Sequence, residues 1–308
     1  MSHTLRSLTR SLKHDFTRGT DFVWGSLYGL TSFAGLQVFL QSWCGASTFV
    51  ISRGGQTLDD RIKSLTAGGC NALSATPTMW RRLLMSHPAE LAALRLKQVT
   101  LGGEIADQLV LDALCTAFPD ARITHIYAST EAGVGFAVND GMAGFPATYL
   151  DSLPAGIRIS VDDRQHLLVL QCGDQSSYLA TDVRLHGESG FIDTGDLVER
   201  KGDRYEFLGR ADGMINVGGD KVCPEEVEKF LLGCDGVKLA RVTGRKSSLT
   251  GSLVEAEIVP DTSHARDVAR FRAALLAQCQ AGLAQHKVPA ILNVVDSIEL
   301  TALGKVKR

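Results

Sequence analysis

No apolar run in this sequence approaches the ~20 residues a helix needs to cross a bilayer, and the longest is broken by Gln37, Gln41 and Ser42. No membrane span is expected. There is no C-x-x-C pair: the seven cysteines, at 44, 70, 115, 172, 223, 234 and 279, are odd in number and scattered. Metal and disulfide frameworks use closer, more regular spacings, so these read as reduced, mostly buried thiols of a cytoplasmic protein. Net charge is nearly absent too, −2 over 308 residues, which removes any global attraction to nucleic acid or anionic lipid. Finally, the first fourteen residues, MSHTLRSLTRSLKH, contain Arg6, Arg10 and Lys13 but no acid. That composition imitates a transit peptide, yet Leu5, Leu8 and Leu12 fall on one side of a helix and favour an amphipathic element of the fold. No continuous apolar core follows the basic residues, so a secretory signal is not expected.

What is present is ordinary globular chemistry. An apolar share of 44% and a charged share of 21% match a soluble folded chain, and this length suits about two domains, each with a core. A helix from Phe33 toward Trp43 is followed by a strand at Thr48–Ile51, a helix near Leu58–Leu65 and a strand at Ala72–Ser74. Helices over Pro77–Ser86 and Ala89–Leu94, a strand Gln98–Leu101, a helix Asp107–Ala117 and a strand Ile123–Tyr127 continue the alternation. Strands alternating with helices predict an α/β layer on a largely parallel sheet.

After Glu131 the texture changes to short segments between Gly, Pro and Asp: Gly156–Val161, Leu167–Leu170, Gly190–Ile192 and Tyr205–Leu208. These predict a small antiparallel sheet or distorted barrel. From Asp212 a third texture begins. A strand at Met214–Val217 precedes a helix over Pro224–Leu232, where Pro at an early position and the acids Glu225 and Glu226 mark a helix start. Strands at Val237–Thr243 and Leu253–Val259, a helix over Ala265–Gly282 and a strand at Ala290–Val295 complete a compact α+β domain. The expected division is 1–210, made of an α/β layer (1–145) and a small β unit (146–210), then 211–308.

Several polar clusters stand out, and each has a bland alternative. Tyr127-Ala128-Ser129-Thr130-Glu131 follows a strand, where a Tyr can stack on a flat ring, a Thr donate to phosphate and a Glu hold Mg²⁺; it also suits a packed aromatic with a helix cap. Gly102-Gly103-Glu104 suits close backbone approach or a simple strand-to-helix turn. Asp196 closes Phe191-Ile192-Asp193-Thr194-Gly195-Asp196, and Asp-Thr-Gly-Asp taken alone is a common turn. Gly209-Arg210-Ala211-Asp212 can be a surface ion pair, and Leu303-Gly304-Lys305-Val306-Lys307-Arg308 a solvated tail. His125 reads as a sheet histidine rather than a base.

Their order along the chain, with Asn216-Val217-Gly218-Gly219-Asp220-Lys221 between the last two, changes the balance. From about Leu5 to Arg308 the chain resembles the acyl-CoA synthetase, luciferase and peptide-synthetase adenylation superfamily, most closely an acid-CoA ligase. YASTEAG is similar to that family's Tyr-Gly-x-Thr-Glu segment, with Ala128 in place of Gly. The resemblance implies ATP-dependent activation of a carboxylic acid to acyl-AMP, then transfer to the thiol of CoA or of a carrier protein's phosphopantetheine. It implies Lys305, Thr130 and Glu131 as catalytic residues, Glu131 also holding Mg²⁺. Gly103, Tyr127, Thr130, Asp196 and Arg210 are implied to bind ATP and AMP, Asp212 to act as a hinge, and Gly219 and Lys221 to line the thioester channel. Ser32 and Phe33 fall in the acid pocket. Ser32 stands where amino-acid-activating members carry an aspartate, which implies a fatty, aryl or other unaminated acid.

One departure is large. No segment has the form Ser-Gly-Thr-Thr-Gly-x-Pro-Lys, the family's phosphate loop, whose backbone donors cradle the β- and γ-phosphates. The sequence is therefore expected to be an N-terminally truncated ligase, with self-association through an apolar face near Phe33, Leu36 and Phe39. The alternative is a non-catalytic or split nucleotide-binding component that needs a partner chain.

Overall fold

The computed structural model describes residues 8–9, 12, 16–51, 55–129, 133–153, 157–171, 191–247, 251–261, 267–301 and 305. Leu5 of the expected first helix, Thr130, Glu131, Gly156, Cys172, Gly190 and Ala265 lie outside them. By contacts the chain forms two units: Met1–Thr194 with Arg200–Glu206 and Ala302–Lys305, and Gly195–Glu199 with Phe207–Thr301 and Val306–Arg308.

The first unit is built on strands β1 (Val23–Ser26), β2 (Thr48–Val50), β3 (Ala72–Ala75), β4 (Gln98–Gly102), β5 (Arg122–Ser129) and β6 (Gly133–Val138). Their order is β2-β1-β3-β4-β5-β6, with the first five parallel and β6 antiparallel to β5. All four residues of β3 are buried, as expected for a strand covered on both faces. Helices Phe33–Cys44, Leu58–Ala67, Pro77–Ser86, Pro88–Ala93 and Gln108–Ala117 fill the crossovers. Their starts follow from side-chain chemistry. Ser32, Thr57, Thr76 and Asp107 each accept a hydrogen bond from a first-turn N–H, a cap that stabilises by about 1 kcal/mol. Pro77 and Pro88 occupy first-turn positions that need no amide donor. Trp80 is fully buried among Leu83, Leu101 and Leu114, and its Nε1 donates to the Thr100 carbonyl at 3.0 Å, which lets a polar ring sit in an apolar core.

Two strands of this sheet were hidden in the sequence. β1 reads Val-Trp-Gly-Ser, and its glycine lowers strand propensity. The glycine is there for packing: a Cβ on Gly25 would stand 2.3 Å from Leu65 Cδ2. β6 reads Gly-Val-Gly-Phe-Ala-Val and is disguised in the same way.

A second sheet contains β7 (Phe145–Pro146), β8 (Ile157–Val161), β9 (His166–Gln171), β10 (Ile192–Lys201) and β11 (Arg204–Arg210), in the order β7-β11-β10-β9-β8. The β8–β9 hairpin closes on Asp162, whose Oδ1 accepts from the amides of Arg164 and His166 at 2.9 and 2.8 Å.

The third sheet holds β12 (Ile215–Val217), β13 (Asp220–Val222), β14 (Val237–Ser247), β15 (Gly251–Pro260) and β16 (Ile291–Val294). Its order is β13-β12-β15-β14, and β16 runs parallel to β15. Helices Pro224–Leu232 and Val268–Gly282 supply Val227, Leu231 and Leu275 to a core shared with Val242, Ala256 and Ile258. The helix Pro224–Leu232 matches its expected bounds; β13 was not foreseen. The three textures of the sequence are thus an α/β layer, a small β sheet and an α+β unit.

Candidate functional site

In the first unit the strand order reverses between β1 and β3. Open parallel sheets bind ligands beyond the carboxyl ends of their strands at such a reversal. Four segments gather at that edge: Leu27–Gly29 after β1, Thr76 after β3, Gly102–Glu104 at the end of β4, and Tyr127–Ser129 at the end of β5.

The turn after β4 is tied in place. Tyr28 Oη donates to the Gly102 carbonyl at 2.9 Å, and burial pushes its ionisation far above the ordinary phenol range, so it remains a neutral donor. Glu104 Oε2 accepts from the Thr78 amide at 3.0 Å, at the start of helix Pro77–Ser86. Between these anchors Gly103 adopts φ +83°, a left-handed conformation that costs a side-chain-bearing residue about 1–2 kcal/mol. A Cβ placed there would stand 3.1 Å from Lys305 Cε, 3.5 Å from Lys305 Nζ and 3.9 Å from Thr76 Cγ2. Gly103 and Lys305, 202 positions apart in sequence, are therefore brought together. Tyr28 and Thr76 were missed from sequence; a strand-end Tyr before Gly29 and a Thr-Pro cap gave a local signal only.

Tyr127 lies on β5, partly buried, with its ring stacked on Phe136 at 5.1 Å and 24°. Two positions earlier, His125 is buried and its Nε2 meets the Met142 carbonyl at 3.0 Å. Burial lowers its pKa, which suits a neutral sheet histidine. Ser32 Oγ donates to the Gly29 carbonyl at 2.7 Å and accepts from the Gly35 amide at 3.1 Å. It caps the helix that Phe33 begins.

The second unit holds the other candidates. Arg210 Nη1 is 3.5 Å from Asp196 Oδ1, and Arg210 Nε donates to Asp212 Oδ1 at 2.9 Å. The Arg210 hydrogen bond holds Asp212 below the usual carboxylate range. Gly195, at φ +72°, leaves room for the guanidinium, since a Cβ there would approach Arg210 Nη2 to 3.1 Å. Gly218 and Gly219 are the two central residues of the β12–β13 hairpin, Val217 facing Asp220. Both have positive φ, as a two-residue hairpin turn of the primed type requires, and a Cβ on either would meet open space. Lys221 is exposed on β13. Among the described residues no group of three or more His, Cys, Asp or Glu side chains is arranged to hold a metal, and no helix is long and apolar enough to cross a membrane.

The model of the AMP-binding enzyme family matches residues 2–172, more than half of the chain. The chain belongs to this family. A model of the AMP-binding enzyme C-terminal domain matches residues 226–305. Among curated relatives, the 2-succinylbenzoate–CoA ligase of Listeria monocytogenes serotype 4b (strain F2365) is 27% identical over 252 residues, 79% of this chain and 51% of that protein. The 2,3-dihydroxybenzoate-AMP ligase of Bacillus subtilis (strain 168) is 36% identical over 122 residues, 39% of this chain and 22% of that protein. Among solved structures, a benzoate CoA ligase from Burkholderia xenovorans LB400 superposes with TM-score 0.80 at 22% identity, covering 99% of this chain and 65% of that one. An anthranilate CoA ligase in complex with anthranoyl-AMP gives TM-score 0.76 at 19% identity, covering 97% and 61%. These two show the shared fold. The chain spans about half the length of the first of these curated relatives.

Proposed function

We propose that this AMP-binding family chain carries the AMP-side and thioester-side machinery of an acid-CoA ligase. The observation that carries the proposal is the approach of the Lys305 side chain to Gly103 at the carboxyl edge of β4. A long ammonium arm at that edge suits a group that must meet a carboxylate and a phosphate together.

In the first step an oxygen of the acid attacks the α-phosphorus of ATP and pyrophosphate leaves. Lys305 holds the two negative groups in line, which is where electrostatic preorganisation contributes most. Tyr127 offers its ring to adenine, Gly103 brings backbone close to the base, Asp196 accepts from the ribose hydroxyls and Arg210 contacts ribose and phosphate. Thr130 donates to phosphate. Mg²⁺ supplies charge neutralisation when bound, and Glu131 is its proposed ligand. In the second step the thiol of CoA, or of a carrier protein's phosphopantetheine, attacks the acyl carbonyl and AMP leaves. Rotation near Asp212 exchanges the two steps, and Gly219 and Lys221 line the thiol's path.

Ser32 at the acid pocket offers no charge to pair with an ammonium, which favours an unaminated acid. The aryl acids named in the relatives put aryl acids first within that class. Supplying benzoyl-AMP and CoA to the 308-residue chain tests the proposal: thioester and free AMP are expected. Absence of both AMP binding and thioester formation, in a folded sample, would overturn it.

A further inference from the structure

The position of the Tyr127 ring has a cause in the neighbouring strand. Between β5 and β6 the pairing runs His125 to Val138, Ile126 to Ala137 and Tyr127 to Phe136, then shifts so that Ala128 faces Val134. Gly135 is the extra residue of a β-bulge placed opposite Tyr127. Bulges bend a strand and re-aim side chains, and they are frequent beside active sites. Here the bulge residue has no side chain, and Tyr127 uses the space: a Cβ on Gly135 would stand 2.9 Å from Tyr127 Cδ1 and 3.5 Å from Cε1. The conformation of Gly135 does not demand glycine, since it is absent from the residues with positive φ. The close approach of the ring does. Phe136 then stacks on the same ring at 5.1 Å and is itself fixed by Phe145 at 4.8 Å and by Tyr149, edge-on, at 5.6 Å. Phe145 stacks in turn on Tyr205 at 5.5 Å and 14°.

We infer that Gly135 and Phe136 are positioning residues that set Tyr127 as the platform for the base of an adenine nucleotide. The inference rests on the proposed role of Tyr127, and it makes base affinity depend on β6, the strand paired with the one that carries Tyr127. An aromatic platform contributes through the overlap of two flat faces, so a tilt of the ring lowers affinity for the base while leaving the sugar and phosphate contacts alone.

The test uses the 308-residue chain, with calorimetric titration of AMP and of ribose 5-phosphate against wild type, Tyr127→Ala, Gly135→Ala and Phe136→Leu. Crystal structures of the last two read the ring position directly. Gly135→Ala is expected to displace the Tyr127 ring and weaken AMP about tenfold, with ribose 5-phosphate unchanged. Phe136→Leu is expected to act in the same direction, and it serves alone if the alanine variant does not fold. An unmoved ring, unchanged AMP affinity, or equal loss for both ligands overturns the inference. If Tyr127→Ala leaves AMP binding intact, the platform role falls and the inference falls with it. If Tyr127→Ala weakens AMP while both neighbouring variants do not, only the positioning role is wrong.

Discussion

The side chain of Lys305 ends against Gly103: a Cβ on that glycine would stand 3.5 Å from the ammonium nitrogen and 3.1 Å from Cε. Glycine therefore serves two purposes at once, a left-handed backbone and room for the lysine. Gly103→Ala is expected to cost about 1–2 kcal/mol of stability from backbone strain, and to lower adenylation further by displacing the ammonium. Lys305→Ala removes the charge without strain. In a chimera to which another family member supplies the phosphate loop, it is expected to slow acyl-AMP formation by about 3 kcal/mol, while thioester formation from supplied acyl-AMP proceeds normally. Measuring both half-reactions separates the cases; equal loss in each would assign the lysine a structural role.

Asp212 lies in the short turn Ala211–Gly213 that follows β11, held by Arg210. Proline fixes φ and removes rotation, so Asp212→Pro is expected to change the two half-reactions unequally. The control is Asp212→Ala, which breaks the ion pair but leaves the backbone free. Normal rates for both steps in the proline variant would remove Asp212 as the proposed hinge.

His125 makes an acid-dependent contribution. Burial lowers its pKa in the folded state below the ordinary 6.5, so the unfolded chain takes up the proton first. Stability from this group is fully present above about pH 6.5 and declines as pH falls through the folded-state value. His125→Gln keeps a donor for the Met142 carbonyl and does not titrate. Urea denaturation at a series of pH values between neutral and mildly acidic is expected to show a shallower acid decline in the variant; parallel curves would remove His125 as the cause.

The alternation of β and α elements was legible because capping residues, first-turn prolines and apolar periodicity act locally: Thr76-Pro77 opens one helix, and Pro224 followed by Glu225 and Glu226 opens another. The glycine strands β1 and β6 were not, because their glycines answer to packing: Gly25 to Leu65, forty positions away on a helix, and Gly135 to the Tyr127 ring on the paired strand. The same holds for the site. Lys305, Tyr127 and Arg210 stood out by motif, and the Arg210–Asp212 ion pair is the local alternative the sequence also allowed, whereas the approach of Arg210 to Asp196 was not foreseen. Tyr28 is another matter. Its hydroxyl matters through Gly102, 74 positions away, and no short-range pattern encodes a bond across three crossovers.

The edge strand β2 and helix Phe33–Cys44 present an apolar surface. Trp43 is 69% exposed and Ile51 62%, with Phe39 packed between Trp43 and Phe49 at 6.2 and 5.7 Å. An exposed tryptophan beside two half-buried phenylalanines, next to a strand that ends its sheet among the described residues, favours association. The 308-residue chain is expected to self-associate with rising concentration, and Trp43→Glu to reduce that tendency; analytical ultracentrifugation of both, showing the same monomeric species, would refute it.

Acid-dependent exchange of pyrophosphate into ATP is the most demanding reaction for these 308 residues. It requires the β- and γ-phosphates to be held in line with the attacking carboxylate, and oriented donors supply that geometry more than charge does. The sequence has no Gly/Ser/Thr-rich loop of the phosphate-cradling form, and a single flexible lysine cannot replace several fixed backbone amides. The 308-residue chain alone is therefore expected to show no useful exchange, while still converting supplied acyl-AMP and CoA to thioester, a step that handles no pyrophosphate. Both assays belong on one preparation, with a complete benzoate-CoA ligase as the positive control. Robust exchange by the 308-residue chain would mean that other residues hold the phosphates, and the division of labour between the two steps would have to be redrawn.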